Sequence, residues 1–152
     1  MLTPNLGEGE AYHDNDYSNN GVEYEFSDWV DIQSTTDIGG YNVGRVEGGE
    51  GMEYTVNITT SGLYKFEARF ASLGNAGTFH IEIDGQNKTG TMKMNDTGGW
   101  QTWTTLTKTN IAISAGQHVM RLAFDTTGAN GTVGNYNYFT FTATSTNVPV
   151  FL

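Results

Sequence analysis

Between residues 63 and 71 the chain reads Leu-Tyr-Lys-Phe-Glu-Ala-Arg-Phe-Ala, so that Tyr64, Phe66, Ala68 and Phe70 alternate with Lys65, Glu67 and Arg69. A period of two puts the first set on one face of a β-strand and the second on the other, which predicts a strand with one face in a core and one in water. Residues 79–83 repeat the rule, with Phe79, Ile81 and Ile83 set against His80 and Glu82, and the turn pair Asp84-Gly85 follows. The two segments are expected to belong to one antiparallel system. Further apolar or β-branched runs lie at residues 29–32, 41–46, 52–58, 100–107, 118–124 and 135–143, and glycine-containing breaks separate nearly all of them. No segment sustains a 3.6-residue period. Eight or more short strands without helices predict an all-β fold, a β-sandwich of jelly-roll type made of two antiparallel sheets. The pattern places the domain at residues 6–143, behind a short extension (1–5) and ahead of a linker or tail (144–152).

Composition sharpens this in three ways. The 20 Gly against 2 Pro fit short strands joined by tight turns. The 17 acidic and 7 basic residues give a formal charge of -10, which repels phosphate backbones and anionic lipid surfaces and argues against nucleic acid or membrane as a partner. The absence of cysteine removes disulfides, thiolate metal sites and thiol nucleophiles. The expected setting is extracellular, as a monomeric domain of a longer secreted protein.

Candidate chemistry concentrates in Thr97-Gly98-Gly99-Trp100-Gln101-Thr102-Trp103. In a regular strand Trp100 and Trp103 have opposite parity, so only one can enter the core. Trp103 is the expected core residue, and Trp100, just behind two glycines, is the one expected to be presented. The alternative is that Trp100 plugs the open end of the sandwich. An exposed indole offers a flat, weakly hydrated face to the C–H face of a pyranose. Covering roughly 100 Å² of it is worth about 2.5 kcal/mol before the cost of immobilising a ligand. Stacking therefore needs help from amides that both donate and accept, and Gln33, Asn135 and Asn137 are of that type.

Four stretches in consistent order carry a family resemblance: Glu8-Gly-Glu10, Asp37-Ile-Gly-Gly-Tyr-Asn-Val-Gly44, Gly49-Glu-Gly-Met-Glu-Tyr54, and the tryptophan segment followed by Asn135-Tyr-Asn-Tyr138. Together they resemble the family 6 carbohydrate-binding modules, non-catalytic jelly rolls appended to polysaccharide-degrading enzymes. Val30-Asp-Ile-Gln33 ahead of the second stretch looks most like the modules of agar-degrading enzymes. The resemblance implies a cleft in the loops at one edge of the sandwich. Trp100 would form one wall, Asn135 would bond to the sugar, and Gln33 would face the cleft. The second wall in this family is usually Tyr or Trp directly after Asn-Val-Gly, where this chain has Arg45. Tyr41 is expected to assist as the wall while Arg45 lines the cleft. Arg45 has two other readings: its guanidinium itself stacks on the ring and donates to hydroxyls or a sulfate, or it is a solvated strand-edge charge.

Glu8 and Glu10 flank a glycine and point the same way in an extended segment. With Asn137, and a carbonyl from residues 33–37, they resemble the family's structural Ca²⁺ site, since a hard cation takes six to eight oxygens. The expected function is non-catalytic binding of a polysaccharide, with agarose or neoagaro-oligosaccharides favoured over xylan or β-1,3-glucan, and delivery of a catalytic domain in the same parent chain to it. Two rivals belong to other classes: a protein-binding adhesion domain, and a small glycoside hydrolase. For the hydrolase, Glu47, Glu50 and Glu53 add carboxylates to the Glu8 and Glu10 pair. His13, His80 and His118 lack metal-ligand spacing, and no Gly-x-Ser-x-Gly elbow supports a Ser-His-Asp reading.

Overall fold

The computed structural model describes residues 12–13 and 31–146, with side chains described from residue 31 to 144. Eleven strands follow in chain order: β1 (Tyr12–His13), β2 (Ile32–Ser34), β3 (Tyr41–Val43), β4 (Gly51–Ile58), β5 (Gly62–Ser72), β6 (Thr78–Ile83), β7 (Gln86–Asn87), β8 (Met92–Lys93), β9 (Gly99–Ile113), β10 (Gly116–Thr126) and β11 (Asn135–Thr146). They form two antiparallel sheets. One has the order β1-β4-β10-β6-β7, with β8 also pairing β6; the other has the order β2-β3-β11-β5-β9. The described residues contain no helix.

The alternating segments bury the expected faces. Phe66, Ala68 and Phe70 of β5 lie inside, as do Phe79 and Ile81 of β6, while Lys65, Glu67 and Arg69 face outward. The expected partnership between these strands does not hold, because β5 and β6 belong to different sheets. Residues 73–77 carry the chain from one layer to the other, and Gly77 passes so close to the Thr126 carbonyl that no Cβ fits there. Periodicity fixes which face of a strand is wet but carries no information about its neighbour. The two strands instead meet face to face: Phe66 and Phe79 stack across the layers with ring centroids 6.4 Å apart. Tyr136 of β11 reaches Phe79 at 5.6 Å and Phe124 of β10 at 4.9 Å, so aromatic edges and faces knit the two sheets.

The Asp84-Gly85 turn forms as expected. Ile83 pairs with Gln86 across it, and both turn residues have positive φ, 50° and 76°, the geometry that matches the twist of a two-residue hairpin. At the C-terminal end the expected tail is shorter, because β11 continues through Thr144 to Thr146, paired with β5 as far as Gly62.

The expected packing of Trp103 is corrected by the path of β9. Thr104 pairs with Phe70 and Gly99 with Ser72, so residues 100–103 stand opposite Ala71 alone. This is an excursion, not a flat strand, and simple parity across it has no meaning. Trp103 is half-buried on the outside, its Nε1 donating to Gln101 Oε1 at 3.3 Å. The core residues from β9 are Ile111 and Ile113, with Leu106 packed against them.

Candidate functional site

The excursion of residues 100–103 carries the start of β9 across the end of its own sheet, towards the opposite edge. Asn135, the first residue of β11, donates from Nδ2 to the Trp100 carbonyl at 2.8 Å. Gln101 completes the clamp: its Oε1 accepts from Thr36 N at 2.8 Å and Thr35 Oγ1 at 3.2 Å, and its Nε2 donates to Asn42 Oδ1 at 3.1 Å. The β2–β3 loop is held in turn by Arg69, whose Nε lies 2.7 Å from Asp37 Oδ2. That hydrogen bond holds the Asp37 carboxyl below the usual range, against the opposing effect of burial. Trp100 is thus fixed through its own backbone and its neighbour.

Beside it lies a cleft of about 390 Å³. Trp100 and Gln33 line it with Arg45, Glu47, Asn130 and Asn135, and Gly131 and Thr132 complete its rim. Gly44 packs directly against two of the lining side chains, Gln33 and Asn135. Its N–H donates to the Asp31 carbonyl at 2.8 Å, the Gln33 amide lies where a Cβ would stand, and Asn135 Oδ1 is 3.0 Å from that same point. Only glycine at position 44 leaves room for the Gln33 amide.

Of the residues singled out from sequence, Trp100, Asn135, Gln33 and Arg45 come together in this cleft. Asn135 is buried, and with Nδ2 engaged by Trp100 it turns only Oδ1 towards Gly44. Tyr41 is not brought in. It lies on a separate apolar cavity of about 380 Å³, with Tyr54, Tyr136 and Phe139. The expected assisting wall is therefore not among the residues that line the Trp100 cleft. Asn137 borders that second cavity as well; its Nδ2 donates to the Ile38 carbonyl at 2.8 Å, while its buried Oδ1 has no hydrogen-bond partner among the described residues. Glu8 and Glu10 lie outside the described residues, and no group of three or more His, Cys, Asp or Glu that could hold a metal occurs among the described ones. Glu47, Asn130 and Thr132 are cleft residues that sequence reasoning did not assign to sugar contact. For Glu47 the sequence signal is its place two residues after Arg45 in the run Arg45-Val46-Glu47, whereas Asn130 and Thr132 lie in a glycine-rich stretch with no such signal.

The geometry bears on catalysis as well. A glycosidase needs two carboxylates about the scissile bond. Among the described residues Glu47 alone supplies a carboxylate to the cleft, since Glu50 is buried and accepts from the Glu47 N–H at 2.9 Å. A Ser-His-Asp constellation does exist elsewhere: His118 Nδ1 is 2.6 Å from Asp84 Oδ2, and Nε2 is 3.4 Å from Ser114 Oγ. Nε2 is closer still to the Ser114 backbone carbonyl, at 2.9 Å. It therefore donates there and has no lone pair with which to activate a hydroxyl. These contacts tie two hairpin turns together, and Asp84, followed by the Ser114 carbonyl, raises the pKa of His118.

A family model described as carbohydrate binding module (family 6) matches residues 20–143. Among solved structures, the chain is similar to a carbohydrate-binding module of lichenase 5A from Cellvibrio mixtus in complex with cellotriose, with 35% identity, a TM-score of 0.66, and coverage of 76% of this chain and 88% of that one. It is similar to the C-terminal module of LamC, a marine laminarinase of Zobellia galactanivorans, at 33% identity and TM-score 0.65, covering 74% and 87%. A β-1,3-glucan-binding module from Bacillus halodurans is similar at 29% identity and TM-score 0.65, covering 75% and 86%. Among curated proteins, the clotting factor G alpha subunit of Tachypleus tridentatus is 35% identical over 89 residues, a match that spans 57% of this chain and 13% of that protein. Fold, motif order and family match agree, and the chain belongs to the family 6 carbohydrate-binding modules.

Proposed function

We propose that this module binds a polysaccharide chain without cleaving it, in the cleft beside Trp100, and holds a catalytic domain of the same secreted parent protein near its substrate. The observation that carries the reading is a half-buried indole, whose own carbonyl is held by Asn135, on the wall of a cleft lined with amides. The indole supplies stacking, and Gln33, Asn130 and Asn135 supply amide groups for hydroxyls. Similar modules are described with cellotriose and with β-1,3-glucan, and a further one with xylose. Those similarities support testing β-glucans and xylan as ligands, and the stretch Val30-Asp-Ile-Gln33 supports testing agarose beside them. Electrophoresis through gels containing laminarin, xylan, hydroxyethyl cellulose or agarose tests this directly: retardation in at least one polysaccharide gel is expected, and free migration in all four refutes it.

A structural Ca²⁺ fits one observation. Asn137 Oδ1 is buried and unpartnered among the described residues, with its orientation set by the bond from Nδ2 to Ile38. An orphan oxygen is costly unless a donor or a cation meets it. Glu8 and Glu10 would supply carboxylates beside it, and the ion would tie the start of the chain to β11. A fall in Tm on chelation, restored by calcium, is the expected result; an unmoved Tm excludes a stabilising ion.

A further inference from the structure

Two opposite charges line the cleft, and neither is used by the fold. Arg45 and Glu47 are both exposed and both contribute to the cleft. Among the described residues neither side chain has a hydrogen-bond or ion-pair partner, whereas Arg69 and Arg121 each reach a carboxylate. The backbone presents them deliberately. Gly44 is tied to Asp31, the Val46 carbonyl accepts from Val133 N at 2.6 Å and Thr132 Oγ1 at 2.8 Å, and Gly48 N donates to Thr127 Oγ1 at 2.9 Å. Between these anchors Arg45 is held at φ 54°, a left-handed conformation that is unfavourable for a side-chain-bearing residue and is retained where surrounding structure imposes it.

We propose that Arg45 and Glu47 bracket two adjacent hydroxyls of an uncharged sugar residue and select for it. This rests on the reading of the cleft as the carbohydrate site. A guanidinium only donates and a carboxylate only accepts, while a sugar hydroxyl does both. A pair of neighbouring hydroxyls can accept from Arg45 and donate to Glu47 while the ring lies on Trp100. The polar pair thereby takes over the gripping role that a second aromatic wall would otherwise have. The same pair disfavours anionic sugars. A sulfate or carboxylate large enough to engage the Arg45 fork would share the cleft with Glu47, on a chain of formal charge -10.

The test is calorimetric titration of the full chain with laminarihexaose, cellohexaose, xylohexaose and neoagarohexaose, and with hexamers of galacturonate and κ-carrageenan. The wild type should bind at least one neutral hexaose with an affinity that does not fall between low and high salt. Arg45→Gln and Glu47→Gln should each weaken that binding by about tenfold or more, with melting temperatures unchanged because both residues are exposed. Preference for a charged hexamer, an affinity that falls steeply with salt, or binding to none of the six overturns the proposal. So do Gln variants that stay within twofold of wild type. If in that last case Trp100→Ala still abolishes binding, the bracket alone has failed; if Trp100→Ala also binds normally, the cleft reading has failed with it.

Discussion

The protein holds two hollows of nearly equal size and opposite construction. The cleft beside Trp100 measures about 390 Å³ and is rimmed by amides, a hydroxyl and two charges without ion-pair partners among the described residues. The cavity between the two layers near β3 and β4 measures about 380 Å³ and is walled by Ile32, Val43, Met52, Tyr54 and Phe139. Volume does not separate them; the groups on their walls do. A sugar offers hydroxyls that need partners on every side, and an apolar chamber would strip them of water without replacing it. The apolar hollow is instead continuous with the aromatic core, where Tyr54 meets Phe139 edge to face at 5.3 Å. On the proposed reading one region recognises the sugar and the other holds the layers together, so mutations in them should have separable effects.

The sharpest break between them is expected at Trp100. Trp100→Ala should lower polysaccharide affinity by about a hundredfold or more, as for a central aromatic anchor, while circular dichroism and Tm stay close to wild type. Phe66→Ala should do the reverse. It removes a fully buried ring that contacts Phe79, Phe139 and Phe141, at a cost of about 3–5 kcal/mol in urea unfolding, with affinity intact in whatever remains folded. Loss of binding in folded Phe66→Ala protein would show that the two regions are coupled.

Smaller changes sharpen the comparison. Gly44→Ala should displace the Gln33 amide and weaken binding about tenfold, with a stability change within about 1 kcal/mol because a flexible side chain absorbs the clash. Gln101→Ala mixes both effects. It unties Trp100 from the β2–β3 loop and should cost about 1–2 kcal/mol of stability together with a several-fold loss of affinity.

The smallest effect belongs to the Asp84–His118 contact, remote from both hollows. The folded pKa of His118 is raised above its ordinary 6.5, chiefly by the Asp84 hydrogen bond. Its contribution is therefore complete below that ordinary value and fades as pH rises through the higher folded one. Asp84 is lowered from 3.8, chiefly by His118, so its share is present above 3.8 and lost on acidification through the lower folded value. The Tm difference between wild type and His118→Gln should accordingly narrow as pH rises above 6.5. A widening difference would mean that the neutral imidazole is the stabilising form.

Much of this architecture was legible from alternation. The strands around Phe66 and Phe79 and the Asp84-Gly85 turn follow from residue type and order, and the cluster of Trp100 with Asn135 from the family resemblance. What alternation could not reveal was pairing, since β5 and β6 look like neighbours and lie in opposite layers. Nor could it reveal the path of residues 100–103. There Gln101, an unremarkable amide in the sequence, becomes the hub that joins β9 to the far edge of its sheet.

By itself, the sequence determined which faces would be apolar, where the chain would turn, and which aromatic stood behind two glycines, because these depend on local sterics and on the period of the backbone. The tertiary structure alone decided that Tyr41 faces the wrong hollow, that Trp103 stays outside, and that Arg45 and Glu47 share a cleft. Those outcomes depend on where distant segments are brought together. A hydrogen bond between residues 65 positions apart, such as Thr36 to Gln101, leaves no trace in the local pattern of either.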